Sequence, residues 1–217
     1  MDRGMRSGAW RGVQLVGGLF AFALSMALLM ASGQGAMPWD VLHQGVARTS
    51  GVPVGVVVAL TSVVVMLLWI PLRQRPGVGT LANLVIVAVA IDPMLALVHA
   101  VAPAPGIVAG ITLALAGIVL NGVATAAYVG VHLGPGPRDG LMTGLCARTG
   151  WRVGPVKTAI EVVVVLAGWA LGGTLGWATL AYALGVGAVV QVALPWCDGS
   201  RRRTTGSGHL ARPADVR

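Results

Sequence analysis

An all-α membrane protein of six transmembrane helices, arranged as two inverted three-helix repeats that each carry a short half-helix insert, is the fold class this sequence predicts. Three observations predict it. Of 217 residues, 56% are hydrophobic and only 10% charged, where soluble domains carry about 25% charged residues. Apolar runs near the roughly 20 residues needed to cross a bilayer recur along the chain. Two polar stretches between such runs, "GAMPWDVLHQGVARTSG" from Gly35 and "GPGPRDGLMTGLCARTG" from Gly134, are built to one plan.

The spans follow from apolar runs and their Gly, Pro and Arg punctuation. They are expected at about Val13–Ser32, Val54–Leu72, Thr80–Val101, Ile107–Val131, Val153–Leu171 and Trp177–Trp196. The first also has the basic start and small-residue end of a signal peptide, but its apolar run exceeds the usual 7–15 residues. Arg3, Arg6 and Arg11 precede it, and Arg73 and Arg75 follow the second span. Arg138, Arg148 and Arg152 follow the fourth, and Arg201, Arg202 and Arg203 the sixth. The other three loops hold one arginine, Arg48. The positive-inside rule then makes both termini cytoplasmic.

This distribution also explains the net charge of +8, so nucleic acid is not expected as a partner. Cys146 and Cys197 form no metal-ligand spacing and fall on the reducing side, so neither a disulfide nor a metal site is expected.

At an offset of 99, eight identities fall between residues 35–55 and 134–154, including Pro38/Pro137, Asp40/Asp139 and Gly51/Gly150. Composition alone gives roughly two. The offset continues through Gly77/Gly176 and the "TLA" at Thr80 and Thr179. The expected organisation is residues 1–12 as a cytoplasmic segment, 13–101 and 102–196 as the repeats, and 197–217 as a disordered cytoplasmic tail. Three spans per unit turn the second copy over, a plan recurrent among secondary transporters. Short helices are expected over 38–49 and 137–148, with proline at the first position and Asp40 or Asp139 in the first turn. At about 18 Å each is too short to cross. Two readings of the aspartates stand: helix capping, or a helix N-terminus aimed at a solute or ion in a central cavity.

The inserts "PWDVL" and "GPRDGLMTGL…RTG", the "TAIE" of the fifth span and the small-residue-rich sixth span resemble the YczE-like bacterial integral membrane proteins, near the YitT group. The resemblance covers about residues 10 to 196. It implies a multi-pass protein of the bacterial cytoplasmic membrane and supplies no catalytic residues.

Ionisable groups inside spans are costly and usually face a bundle interior or cavity. Asp92, Lys157 and Glu161 are such groups, and Asn83, Asn121 and Gln191 join them. Asp92 and Gln191 are 99 apart and both expected near the midplane; Asp92 precedes Pro93, as a broken helix lining a cavity would need. Lys157 and Glu161, four apart, form either a structural pair or a proton or cation site with a switchable partner. The tryptophans, among them Trp39 and Trp69, are expected as interface belts. His43, His99 and His132 are expected at solvated loops or interfaces. No HExxH, GxSxG or P-loop occurs, so no enzymatic activity and no cofactor are expected. The expected function is a small-solute or ion transporter or channel with a midplane polar site, in contact with lipid and, as an open alternative, homo-oligomeric. The rival is a non-transporting scaffold or assembly partner of another protein.

Overall fold

The computed structural model describes residues 8–198. Arg3, Arg6, Arg201–Arg203 and all but the first two residues of the tail lie outside the described residues. The described chain is helical: α1 Gly8–Ala31, α2 Pro38–Ser50, α3 Val54–Leu72, α4 Val78–Val101, α5 Ile107–Val129, α6 Pro137–Thr149, α7 Val153–Ala170 and α8 Trp177–Cys197. Six are long and apolar enough to cross a membrane, and α2 and α6 are the two short ones. The first span begins five residues earlier than the sequence suggests, and the other helix ends move by at most two.

Runs such as "VVVALTSVVV" in α3 favour strands in water. In hydrocarbon every backbone N–H and C=O must be satisfied within the segment, so they form helix. Their side chains face outward: Leu60, Val64 and Leu67 of α3 and Leu184 and Val192 of α8 are exposed, the surface lipid covers. The core lies along α1, where Leu19, Ala23, Met26, Ala27 and Leu29 are 0% exposed. This helix packs along α5 and α4, α5 also meets α8, α2 lies on α7, and α3 touches α4 and α6. Gly18 sits against the α5 backbone at Tyr128, and Gly110 and Gly117 sit against the backbone of residues 25–32. Small residues let these helices approach closely where no hydrophobic force drives them together.

The two short helices are held by matching contacts. Before each, a glycine at φ 122° turns the chain: Gly35 lies against Gly176 and Thr179, and Gly134 against Gly77 and Thr80. The Ala178 amide donates to the Gln34 carbonyl at 3.1 Å, and the Gly79 amide to the Leu133 carbonyl at 2.8 Å. Each helix starts with proline and ends on a left-handed glycine, Gly51 at φ 70° and Gly150 at φ 71°. Arg48 donates to the Gly172 carbonyl and Arg148 to that of Pro71, so each short helix latches the end of a long helix remote in sequence.

Three expectations need correction. Trp69 is not at an interface: it is 2% exposed and donates its indole N–H to the Pro137 carbonyl at 3.0 Å. His43 is not solvated but fully buried. α4 runs through Pro93 without a break, because one lost amide costs a long, packed helix one hydrogen bond rather than its continuity.

Candidate functional site

The N-terminal ends of α2 and α6 meet at a cavity of about 380 Å³. Pro38 and Trp39 line it from α2, and Pro137, Arg138 and Asp139 from α6. Its other walls are Phe22 of α1, Ser62 of α3, Asn83 of α4, Tyr128 of α5, Lys157 and Glu161 of α7, and Tyr182 and Gln191 of α8. All eight helices thus contribute. The short helices are what make this convergence possible: each brings its first residues to the cavity, Pro38 and Trp39 from α2 and Pro137, Arg138 and Asp139 from α6.

Of the residues singled out in the sequence, Asn83, Asp139, Lys157, Glu161 and Gln191 line this one cavity. Lys157 Nζ lies 3.7 Å from Glu161 Oε1. Asp139 accepts a hydrogen bond from the Tyr128 hydroxyl at 2.9 Å. Asn121 lies just behind the wall, fully buried, donating to Ser25 Oγ at 2.9 Å and accepting from the Tyr182 hydroxyl at 2.8 Å. Asp92 is placed elsewhere. Its Oδ2 accepts the Gly55 amide at 3.0 Å, so its charge caps the open N-terminus of α3. An aspartate at a helix start has a better partner in an orphan amide than in a cavity.

Asp40 is fully buried behind Trp39. Its Oδ1 accepts from His43 Nδ1 at 3.1 Å and lies 3.8 Å from Arg138 Nη2. The Arg138 guanidinium in turn stacks 5.4 Å over the Trp39 ring. The first-turn aspartates therefore bond side chains rather than the amides of their own helices. Burial pushes the His43 imidazole below its ordinary value, against the upward pull of the Asp40 hydrogen bond. At neutral pH the group is a neutral ring donating through Nδ1.

Arg138, His43, Tyr128 and Tyr182 were missed as site residues. His43 stands three residues after Asp40, on one helix face with it, and that spacing was the available signal. Arg138 served only as a topology marker, and no signal tied it to Asp40. Among the described residues no three His, Cys, Asp or Glu side chains cluster as metal ligands would.

These features define an all-helical multi-pass membrane protein with a cavity lined by its spans and by the N-terminal ends of two short helices. Within that class, the chain belongs to the family described as "Family of unknown function (DUF6198)", which it matches over residues 9–195. It is 39% identical over 181 residues to an "Uncharacterized protein" of Haemophilus influenzae, covering 81% of this chain and 82% of that one. It is 31% identical over 178 residues to the "Uncharacterized membrane protein YczE" of Bacillus subtilis, covering 82% and 81%. No solved structure matches the chain significantly.

Proposed function

We propose that the protein is a small-solute or ion transporter or channel of the bacterial cytoplasmic membrane, with its site in the cavity between α2 and α6. The single observation that carries this is a partly open cavity in the bundle where two helix N-termini meet side chains of both charge signs. Helix N-termini hold partial positive charge and free amides, Arg138 and Lys157 add cations, and Asp139 and Glu161 add acceptors. Such a set suits a small polar solute better than a packed core, which has no use for cavity-facing charge.

Two inverted repeats are the proposed scaffold. The reciprocal contacts support it: Gly79 to Leu133 and Ala178 to Gln34 are the same bond moved by 99 residues at each end, with donor and acceptor units exchanged. The arginine distribution supports cytoplasmic termini. Rocking of one unit against the other would then open the cavity to each side in turn. The reading assigns no reaction to the chain.

One observation favours the rival scaffold role. The charges at the cavity have mutual partners, Lys157 with Glu161 and Arg138 with Asp40, as a non-transporting core would require. Accessibility decides. In a variant lacking Cys146 and Cys197, single cysteines at Asn83, Glu161 and Gln191 are expected to react with a small membrane-impermeant thiol reagent. A cysteine at lipid-facing Leu184 should stay inert. A channel reacts from both sides at once and a transporter from one side at a time. Three unreactive cavity cysteines would sink the transport reading and favour the scaffold.

A further inference from the structure

We infer that Asp40 and His43 together bind a proton, and that this proton competes with Arg138 for the Asp40 carboxylate. The inference deepens the transport reading by naming its coupling ion, and rests on that reading for the coupling role alone. Four facts carry it. Both side chains are 0% exposed. Asp40 Oδ2 and His43 Nε2 are buried without a hydrogen-bond partner. The cation nearest the carboxylate, Arg138 Nη2, stands at 3.8 Å, beyond the roughly 2.7–2.9 Å of a charge-assisted hydrogen bond. Arg138 also borders the cavity, with its side chain 22% exposed.

A buried carboxylate with one neutral donor and a loosely held cation is under-compensated. The added cation that suits two side chains with no exposed surface is a proton. It arrives from hydronium and binds the His43 Nε2 lone pair; one N–H bond forms as one O–H bond of the hydronium breaks, releasing water. The imidazolium then neutralises Asp40 through the existing Nδ1–H bond. Arg138, which stays charged, loses its claim on Oδ1 and turns to the cavity, where Asp139 and the solute space lie. Proton loss reverses the exchange. Because Nε2 has no acceptor, the proton is held weakly enough to leave.

The other groups facing the pair leave this competition intact. Tyr182 of α8 lies within electrostatic reach of Asp40 and Arg138. α7, against which α2 packs, carries Lys157 and Glu161, which neutralise each other at 3.7 Å. From α6, Asp139 is held by Tyr128. α3, the other helix packed on α2, has no ionisable residue. On α2 itself, Arg48 is exposed and bonded to Gly172 and Thr174.

The test is a titration of the full-length, ¹⁵N-labelled protein in detergent micelles, with no solute added. The His43 ring signals are assigned by their loss in His43→Gln, and the Arg138 side-chain Nε–H signal by its loss in Arg138→Lys. Both are expected to move with one shared midpoint below pH 7. Arg138→Gln should raise the proton affinity of His43 about tenfold, the order of effect a neighbouring charge has. A His43 that stays silent from pH 4 to 8, midpoints that differ, or an affinity unchanged in Arg138→Gln overturns the inference. Melting curves accompany each variant. If Arg138→Gln does not fold, the shared midpoint in the unaltered chain still decides. Inert cavity cysteines would remove the transport reading and leave this titration standing, so the two failures are distinct.

Discussion

The two short helices share a frame and differ in what they carry. Both begin with proline after a glycine at φ 122°, and both end on a left-handed glycine. Yet Asp40 of α2 is sealed, with His43 and Arg138, while Asp139 of α6 opens on the cavity and takes a tyrosine hydroxyl. Their neighbours are exchanged as well. Gly140 of α6 lies under the Trp69 ring of α3, whereas the residue 99 positions before it, Val41, lies on Gly168 of α7, 99 positions after Trp69. At α6 an aromatic ring covers the glycine, and at α2 the helix backbone itself lies against one. The lesson is that glycines and backbone hydrogen bonds hold the frame, and side chains are free to diverge on it, which is how two short helices of one plan come to carry different chemistry.

The harshest way to break the comparison is at the exchanged pair. A Cβ on Gly140 would stand 1.9 Å from Trp69 Cζ2, so Gly140→Val is expected to cost about 3 kcal/mol by overpacking. Adding Trp69→Gly copies the Val41–Gly168 pairing and should recover most of it. Chemical denaturation in mixed micelles reads both, and additive losses would mean the pair is not exchanged in the sense described.

Next come the aspartates. Asp40→Asn is expected to cost about 2 kcal/mol, because it strands a partly buried arginine. Asp139→Asn keeps a hydrogen bond from Tyr128 and should cost under about 1 kcal/mol. Equal costs in the same assay would erase the contrast between the helices.

The third measurement uses pH. His43 corresponds to Met142 of α6, so His43→Met makes the helices alike. Burial lowers the His43 value in the folded state, so the unfolded chain binds the proton more tightly. The contribution to stability is complete above about pH 6.5, the unfolded value, and is lost as pH falls below it, at no more than about 1.4 kcal/mol per unit. The difference between wild type and His43→Met should show this slope. A flat difference from pH 7 to 4.5 would contradict the burial of a neutral ring. The mildest change is Tyr128→Phe, which removes the donor to Asp139 and should cost about 0.5–1 kcal/mol.

Much of this frame was legible in the chain. Spans emerge from apolar runs because the bilayer fixes their length, and the short helices emerge because Pro38, Pro137, Gly51 and Gly150 mark both ends by backbone chemistry. Four of the eight candidate residues, Asn83, Lys157, Glu161 and Gln191, meet at the cavity for a related reason: polar side chains inside spans must find one another. What escaped was pairing across helices. Asp92 was assigned by depth, but its partner is the Gly55 amide, and depth says nothing about azimuth around a helix. His43 is expected at a solvated loop or interface because it falls outside the spans, which cannot show that α2 is packed against α7. Trp69 went wrong in the same way, since an interface position and a buried ring over a glycine have the same height in the membrane.

The latches between remote segments bear on biosynthesis. The amide of Thr174 bonds Gln44 Oε1 across 130 residues, and Arg48 reaches Gly172 across 124. At roughly 5–20 residues per second, translation needs on the order of 10 s to deliver what α2 docks against. Throughout that interval the nascent N-terminal half holds a short helix with a buried-to-be aspartate and histidine, and the surface that will cover them has not been made. The first half is thus a kinetic dependant of the second. It must wait, shielded by lipid, the insertion machinery or a chaperone, and a ribosome stalled after the third span would leave a fragment that cannot close.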